Sequence, residues 1–157
     1  MIYGISGAPI PMELPFSQEV TNAASVRQMP PCFIYAFAWR ETIREYGAGS
    51  AGKMSDNNDG GHGLFQLTES YPDNWADPTM NALYAIDYFI KPALDYWHGL
   101  ENFCGDTLVL LVAATFNEGL GKARQYHAQG DVDAGTTDEY GHGVLGYYKN
   151  MIAGRHP

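Results

Sequence analysis

The sequence predicts a mainly α-helical domain with one loop-rich wall, and three observations support this. Two segments without glycine or proline are apolar on nearly every side, CFIYAFAWRETIREY over residues 32–46 and LVLLVAATF over residues 108–116. Such runs are typical of buried helices. Between them, residues 47–63 read GAGSAGKMSDNNDGGHG, so we expect a loop or a tight β-hairpin there. The length of 157 residues fits a single domain over 1–157, with an irregular N-terminal arm over 1–16.

Capping residues and breakers predict the helices in the first two thirds of the chain. Ser17 is expected to cap a short helix over residues 17–28. Asp77 precedes a proline, which is a favourable pair for opening a helix over residues 79–97. Pro92 falls inside that helix and should kink it, because proline lacks the backbone N–H that a continuous helix needs.

The last third of the chain predicts three further helices. Asp106 should cap the central helix over residues 107–117, and a short helix is expected near residues 122–128. Either Asp138 or Glu139 should begin the terminal helix. That helix is expected to turn four apolar side chains inward, namely Val144, Leu145, Tyr148 and Ile152.

The charge balance disfavours two classes of partner. Nine Lys and Arg against eighteen Asp and Glu leave a net charge of −9, which opposes binding to nucleic acid. The longest apolar run, Leu108 to Phe116, is too short to span a bilayer, and the N-terminus shows no basic start followed by an apolar stretch. We therefore expect no nucleic-acid partner, no membrane partner and no signal peptide in this sequence.

Cysteine and histidine provide no pattern for a metal site. Cys32 and Cys104 could form one disulfide if the protein matures outside the cytoplasm, or remain as two buried thiols, and the sequence leaves both open. The five histidines show neither H-x-x-x-H nor H-E-x-x-H spacing. We therefore predict no metal ion.

Glu41 is the candidate for acid catalysis. It follows Ile34 by seven residues and Phe37 by four, which places its carboxyl group on an apolar face of the predicted helix. A desolvated carboxyl group has a raised pKa, so it can hold a proton near neutral pH. The alternative is a surface glutamate paired with Arg40 or Arg44 near the helix end.

Four blocks in order, AWRET, GHGLFQL, ATFNEG and DAGTTDEYGHGVLGYY, resemble motifs of the goose-type lysozymes and the related soluble lytic transglycosylases. The resemblance covers roughly residues 32–152. It implies a lysozyme-like helical fold with a cleft beside a loop or hairpin wall, and cleavage of the β-1,4 bond between N-acetylmuramic acid and N-acetylglucosamine. It also implies peptidoglycan glycan strands as the partner, a monomer without a cofactor, and action outside the cytoplasm.

The same resemblance assigns roles to single residues. Glu41 looks like the proton donor to the leaving sugar oxygen. Gly63 opens the segment that lines the cleft, and Gln66 and Asn117 look like amides that hydrogen-bond the glycan or the acid. Tyr140 looks like an aromatic residue that orients Glu41.

The sequence departs from the family at three positions. Phe116 stands where the family usually has tyrosine, Thr42 replaces the usual serine, and Thr68 stands where goose-type enzymes carry an acidic residue. Inverting hydrolysis needs a second carboxylate ~6.5–9.5 Å from the first, and Asp56 and Asp59 are the candidates. Both could instead serve only as turn residues. If neither reaches the cleft, a transglycosylase reaction without water is the better account, in which Glu41 returns as the base.

A second class of function remains open at this stage. The chain could be a catalytically inactive lysozyme-like protein that binds glycan, or one that acts structurally in a phage or secretion machine. The blocks that resemble the enzymes do not decide between a hydrolase, a transglycosylase and such a binder.

Overall fold

The computed structural model describes residues 1–55 and 59–157, and most of them are helical. The mainly α class is therefore confirmed. Two π-helical turns (Trp39–Ile43 and Ile86–Ile90) and two 3₁₀ turns (Gly47–Gly52 and Val132–Gly135) accompany the α-helices. In chain order, the α-helices are α1 (Ser17–Val26), α2 (Pro31–Ala38), α3 (Arg44–Tyr46), α4 (Pro78–Ala85), α5 (Lys91–Glu101), α6 (Gly105–Glu118), α7 (Leu120–Ala128) and α8 (Tyr140–Ile152).

The two apolar runs form the centre of the core. Every residue of α2 from Cys32 to Ala38 is buried, and α6 buries its middle part, from Leu108 to Ala114, apart from the half-buried Leu110. Both helices pack against α8, and α6 also packs against α5. Within the described residues, none of the helices combines the length and the apolar character needed to cross a bilayer.

The predicted helix over residues 32–46 is interrupted at the candidate acid. Instead of continuing as an α-helix, the chain widens into the π turn Trp39–Ile43, which contains Glu41. A π turn changes the direction of the side chains that follow it and is often found at functional sites. The buried Thr42 donates a hydrogen bond to Leu64 O at 2.8 Å, which ties this turn to the segment opposite.

The opposing residues, 53–55 and 59–67, lie where the sequence predicts a loop-rich wall, and we call them the wall segment. It contains isolated antiparallel bridges, Met54 with His62 and His62 with Leu67, and no longer ladder among the described residues. Gly63 N donates to Lys53 O at 2.8 Å across the same segment. The wall is therefore held by a few backbone pairs, and it needs support from outside.

Asn81 on α4 supplies that support. Its buried side chain accepts a hydrogen bond from Phe65 N at 2.9 Å, and its amide group donates to His62 O at 3.1 Å and to Trp75 O at 2.9 Å. Gly63 is packed so closely that a Cβ atom there would collide with the Asn81 side chain, and its φ of 70° is unfavourable for other residues. One asparagine thus satisfies three buried backbone groups of the wall and its neighbourhood.

Two of the predicted helix caps need correction. Ser17 is the first residue of α1 rather than its cap, and its hydroxyl donates to Met12 O. Asp106 lies inside the first turn of α6 and pairs with Lys149 at 2.8 Å instead of capping. Asp77, in contrast, caps α4 as predicted by accepting from Met80 N.

The terminal helix has a cap that the sequence did not indicate. Glu139 lies directly before α8, so the helix begins where the sequence predicted, but the Glu139 side chain makes no cap. The carboxylate of Asp133 instead accepts from Gly141 N at 2.7 Å and from His142 N at 2.9 Å. A carboxylate at this end also meets the positive pole of the helix dipole. Asp133 is distant from the helix start in sequence, so only the turn before α8 brings it there.

Two smaller expectations about side chains also change. Val144 and Tyr148 are buried as predicted, but Ile152 is 38% exposed and Met151 takes the inward position. The kink expected at Pro92 appears as the π turn Ile86–Ile90 just before it.

The two cysteines are free and are not bridged. Cys32 is buried and Cys104 is exposed, so the alternative of two buried thiols is wrong for Cys104.

Replacing Asn81 tests its role in the wall. Asn81→Ala should lower the free energy of unfolding by about 3 kcal/mol, because buried backbone groups lose their partners. Urea denaturation measures this, with Asn22→Ala on the exposed side of α1 as the matched control, which should change stability by less than about 0.5 kcal/mol. Equal effects of the two substitutions would contradict this role.

Candidate active site

A cleft of about 520 Å³ opens between the π turn at Glu41, the wall segment and the C-terminal end of α6. Its surface is mostly polar. The side chains predicted from the sequence that line it are Glu41, Asp59, Gln66, Phe116 and Asn117. Tyr140 reaches the cleft through its contact with Glu41.

Glu41 is held by a tyrosine and not by its neighbouring arginines. The Tyr140 hydroxyl donates to Glu41 Oε1 at 2.6 Å. Arg40 donates to the backbone carbonyls of Thr137 and Asp138, and Arg44 donates to the carbonyl of Arg40. The surface ion pair that the sequence left open is therefore not what fixes this carboxyl group.

The surroundings of Glu41 favour its protonated form. Burial raises its pKa from 4.5 to about 7, because a charged carboxylate loses the stabilisation of water. The Tyr140 hydrogen bond and the positive charges of Arg40 and Arg44 act in the opposite direction, and the negative charge of Asp59 adds to the rise. Desolvation is the largest of these effects, so a large share of Glu41 still holds its proton at pH 7, where an ordinary glutamate is ionised.

Tyr140 is itself fixed from several sides. Its ring is buried, stacks on Phe116 with 6.3 Å between ring centroids, and has the guanidinium of Arg40 at 5.3 Å. Its backbone N–H donates to Thr136 Oγ1 at 3.0 Å. Burial, together with the charge and hydrogen bond of Glu41, raises the pKa of Tyr140 well above its ordinary value, so its hydroxyl remains a donor.

The end of α6 presents an aromatic ring and an amide to the cleft. Phe116 packs edge to face on Phe37 and Phe89, at 5.2 and 6.0 Å between ring centroids, so the core determines its position. Asn117 is exposed in the cleft, and its Oδ1 accepts from Thr137 N at 3.0 Å. The segment before α8 therefore fixes the orientation of this amide.

Gln66 adopts a backbone conformation that is uncommon for a residue other than glycine. Its φ is 48°, and its amide donates to Gly63 O at 3.0 Å and to Lys53 O at 3.3 Å. Gly61 leaves the room for this side chain, since a Cβ atom at that position would lie 2.5 Å from Gln66 Oε1. Gly61 is the first residue of the GHGLFQL block, but sequence reasoning gave it no role of its own, although a glycine there was a signal for a close approach.

The other predicted site residues do not all line the cleft. Gly63 does not line the cleft and packs against Asn81 instead. Asp59 lines the cleft and also makes a turn, because its Oδ1 accepts from Gly61 N at 3.2 Å. Hydrogen bonds from Ser55 and Gly61 hold the pKa of Asp59 below its ordinary value, so it is ionised. Asp56 lies outside the described residues.

Comparison of the sequence with protein-family models and with curated proteins finds no match. Within the part of the chain that the structure describes, no group of three or more His, Cys, Asp or Glu side chains is arranged to hold a metal ion.

The raised pKa of Glu41 predicts how stability depends on pH. The folded protein holds a proton that the unfolded chain releases, so the wild type should lose stability as the pH rises from about 4.5 to about 7. Glu41→Gln cannot ionise and keeps an oxygen for Tyr140. The free energy of unfolding of the variant minus that of the wild type should therefore be about 1 to 3 kcal/mol larger at pH 8 than at pH 4.

Urea denaturation at a series of pH values measures this gain. Glu45→Gln is the matched control, because Glu45 is an exposed carboxyl group that lines the same cleft. A difference between wild type and Glu41→Gln that does not vary with pH would show that Glu41 is not kept in its protonated form.

Proposed function

We propose that this protein cleaves the β-1,4 bond between N-acetylmuramic acid and N-acetylglucosamine in peptidoglycan, with Glu41 as the general acid. The observation that carries the proposal is a carboxyl group with a pKa of about 7, oriented by Tyr140 at the side of a cleft large enough for sugar rings. A general acid is most effective when its pKa lies near the working pH. The order of the four sequence blocks supports the same reaction.

Tyr140 also determines which oxygen of Glu41 carries the proton. Because the tyrosine hydroxyl donates to Oε1, that oxygen is an acceptor, and the proton resides on Oε2. Glu41 passes this proton to the glycosidic oxygen, which leaves with N-acetylglucosamine while positive charge develops at C1 of the muramyl ring. The Tyr140 hydrogen bond then stabilises the carboxylate that remains.

Asp59 supports hydrolysis as the second half of the reaction. It is ionised, lines the same cleft, and is close enough to influence Glu41 through its charge. In an inverting mechanism, such a carboxylate takes a proton from water as the water oxygen bonds to C1 from the face opposite the leaving group. Proton donation by Glu41 and proton removal by Asp59 then complete the cleavage.

Gln66 and Asn117 are proposed to bind the glycan through their amides. The net charge of −9 repels an anionic wall polymer at long range, so affinity has to come from short-range contacts of this kind. Phe116 offers an apolar ring beside Asn117 for the face of a sugar. We propose that the protein acts on the cell wall outside the cytoplasm.

A matched pair of variants tests the catalytic role of Glu41. Glu41→Gln should reduce the release of soluble muropeptides from purified peptidoglycan by at least about 100-fold, since the proton donor is lost. Glu45→Gln removes a carboxyl group from the same cleft and should stay within about twofold of wild type. Equal activity of Glu41→Gln and wild type would refute Glu41 as the acid, and no activity in any of the three proteins would favour a glycan-binding or structural role.

The mass of the products distinguishes hydrolysis from transglycosylation. We expect muropeptides with a reducing muramic acid, and a loss of roughly 10-fold or more in Asp59→Asn because water is no longer activated. Mass spectrometry decides the point, since an anhydro-muramyl product is one water lighter. Anhydro products, together with full activity of Asp59→Asn, would assign the protein to the transglycosylase class instead.

A further inference from the structure

Glu118 is the last residue of α6 and follows the cleft residue Asn117 directly. Both oxygens of its carboxyl group are buried without a hydrogen-bond partner, which holds for no other side chain in the described part of the protein. An ionised carboxylate in such a place is strongly disfavoured, whereas a neutral acid is tolerated. The proposed chemistry does not use this group, so its burial needs a separate explanation.

The carboxyl group of Glu118 is enclosed between two elements. Gly135, in the 3₁₀ turn Val132–Gly135, lies so close that a Cβ atom there would collide with Glu118 Oε2 and with the ring of Tyr126 on α7. The turn can take this position only because residue 135 has no side chain. The turn, α7 and the end of α6 thus pack around one carboxyl group.

The charges that face Glu118 make its ionisation still less favourable. The titratable groups are Asp133 on the turn, Lys122 and Tyr126 on α7, and, behind Asp133, His142 on α8. Burial and the negative charge of Asp133 raise the pKa of Glu118, and Lys122 only partly opposes them.

Asp133 remains charged although it is buried. Burial acts to raise its pKa, but hydrogen bonds from Thr136, His142 and Gly141 outweigh burial and hold the pKa below its ordinary value. Two carboxyl groups therefore share this region, and only Asp133 has the hydrogen bonds that an ionised group needs.

The same turn continues into the residues that fix the cleft. Thr136 accepts the backbone hydrogen bond of Tyr140, and Thr137 N donates to the side chain of Asn117. A displacement of the turn would therefore disturb the orienting residue of the acid and one of the proposed substrate amides together. Gly135, which lies against the Glu118 carboxyl group, directly precedes Thr136 and Thr137 in the chain.

We propose that Glu118 is a positioning residue: as a neutral acid it allows the turn to close on α6 and to hold Asn117 and Tyr140 at the cleft, and its ionisation repels Asp133 and loosens that support. The link to catalysis rests on the proposed function, whereas the link to the turn does not. Ionisation of Glu118 would weaken glycan binding as the pH rises, independently of the titration of Glu41.

The first test is thermal unfolding of Glu118→Gln in the Glu41→Gln background, which removes the titration of Glu41. The parent should lose stability as the pH rises, because the folded state holds a proton on Glu118 that the unfolded chain releases. The Tm of the Glu118→Gln protein minus that of its parent should be about 2 °C or more larger at pH 8 than at pH 4. Glu101→Gln, at the exposed end of α5, is the matched control and should show no such gain.

The second test measures the affinity for N-acetylglucosamine oligomers in the same two proteins by calorimetry. The Kd of the Glu118-containing protein should rise at least about threefold between pH 4 and pH 8, and that of the Glu118→Gln protein should stay constant. Glu118→Met, which is also neutral at every pH, provides a second version if the glutamine variant folds poorly. A Tm difference that does not vary with pH would overturn the proposed ionisation, and equal pH dependence of Kd in both proteins would overturn the positioning role.

These readouts separate the inference from the proposed activity. An inactive wild type would contradict peptidoglycan cleavage, yet the Tm comparison would still decide whether Glu118 is held neutral under the turn. An active wild type with no pH dependence attributable to Glu118 would contradict the inference alone.

Discussion

The hydrogen bond between Tyr140 and Glu41 is the constraint on which the arrangement of the cleft depends. It joins residues 99 positions apart in sequence and brings the first core helix and the last helix to one place. For this contact to form, α2 and α6 must both pack on α8, and Phe116 must stack beside the tyrosine ring. The bond lies where the π turn after the buried helix α2 meets the start of α8, so the packing of the core determines where the carboxyl group points.

Burial of that carboxyl group has opposite effects on stability and on chemistry. A dry site disfavours the charged form of Glu41, and the folded protein loses stability wherever the group must ionise. The same environment keeps a proton on Glu41 near neutral pH, which proton donation requires. The Tyr140 hydrogen bond and the charges of Arg40 and Arg44 moderate the effect without cancelling it. The pKa of about 7 is the balance of these opposing influences.

The two sides of the cleft are fixed by different means. Helices of the core hold Glu41, Phe116 and Tyr140, whereas the wall segment has only isolated bridges of its own. Asn81 and Thr42 fasten the wall to α4 and to the π turn through buried hydrogen bonds. Such a design gives a fixed acid on one side, and on the other a wall whose position depends on a small number of polar contacts.

The amino-acid sequence determined the parts of the molecule that follow from local patterns. The apolar runs of α2 and α6 could be assigned from sequence because a helix apolar on all sides has to be buried. Spacing left Glu41 either on an apolar face or in a surface ion pair, and the resemblance of the motifs favoured the apolar face. The motif order also indicated Gln66 and Asn117, which the structure brings to the same cleft, although it wrongly suggested that Gly63 would lie there too.

Only the tertiary structure decided the features that need partners distant in sequence. The π turn, the cap that Asp133 gives to α8, the support of the wall by Asn81 and the buried acid of Glu118 each depend on contacts between separate elements. The physical reason is that a buried polar group takes whichever partner the packed chain brings within hydrogen-bond distance, and local sequence does not specify that partner. The burial of apolar residues can be predicted from the sequence, whereas the fold determines how buried polar groups pair.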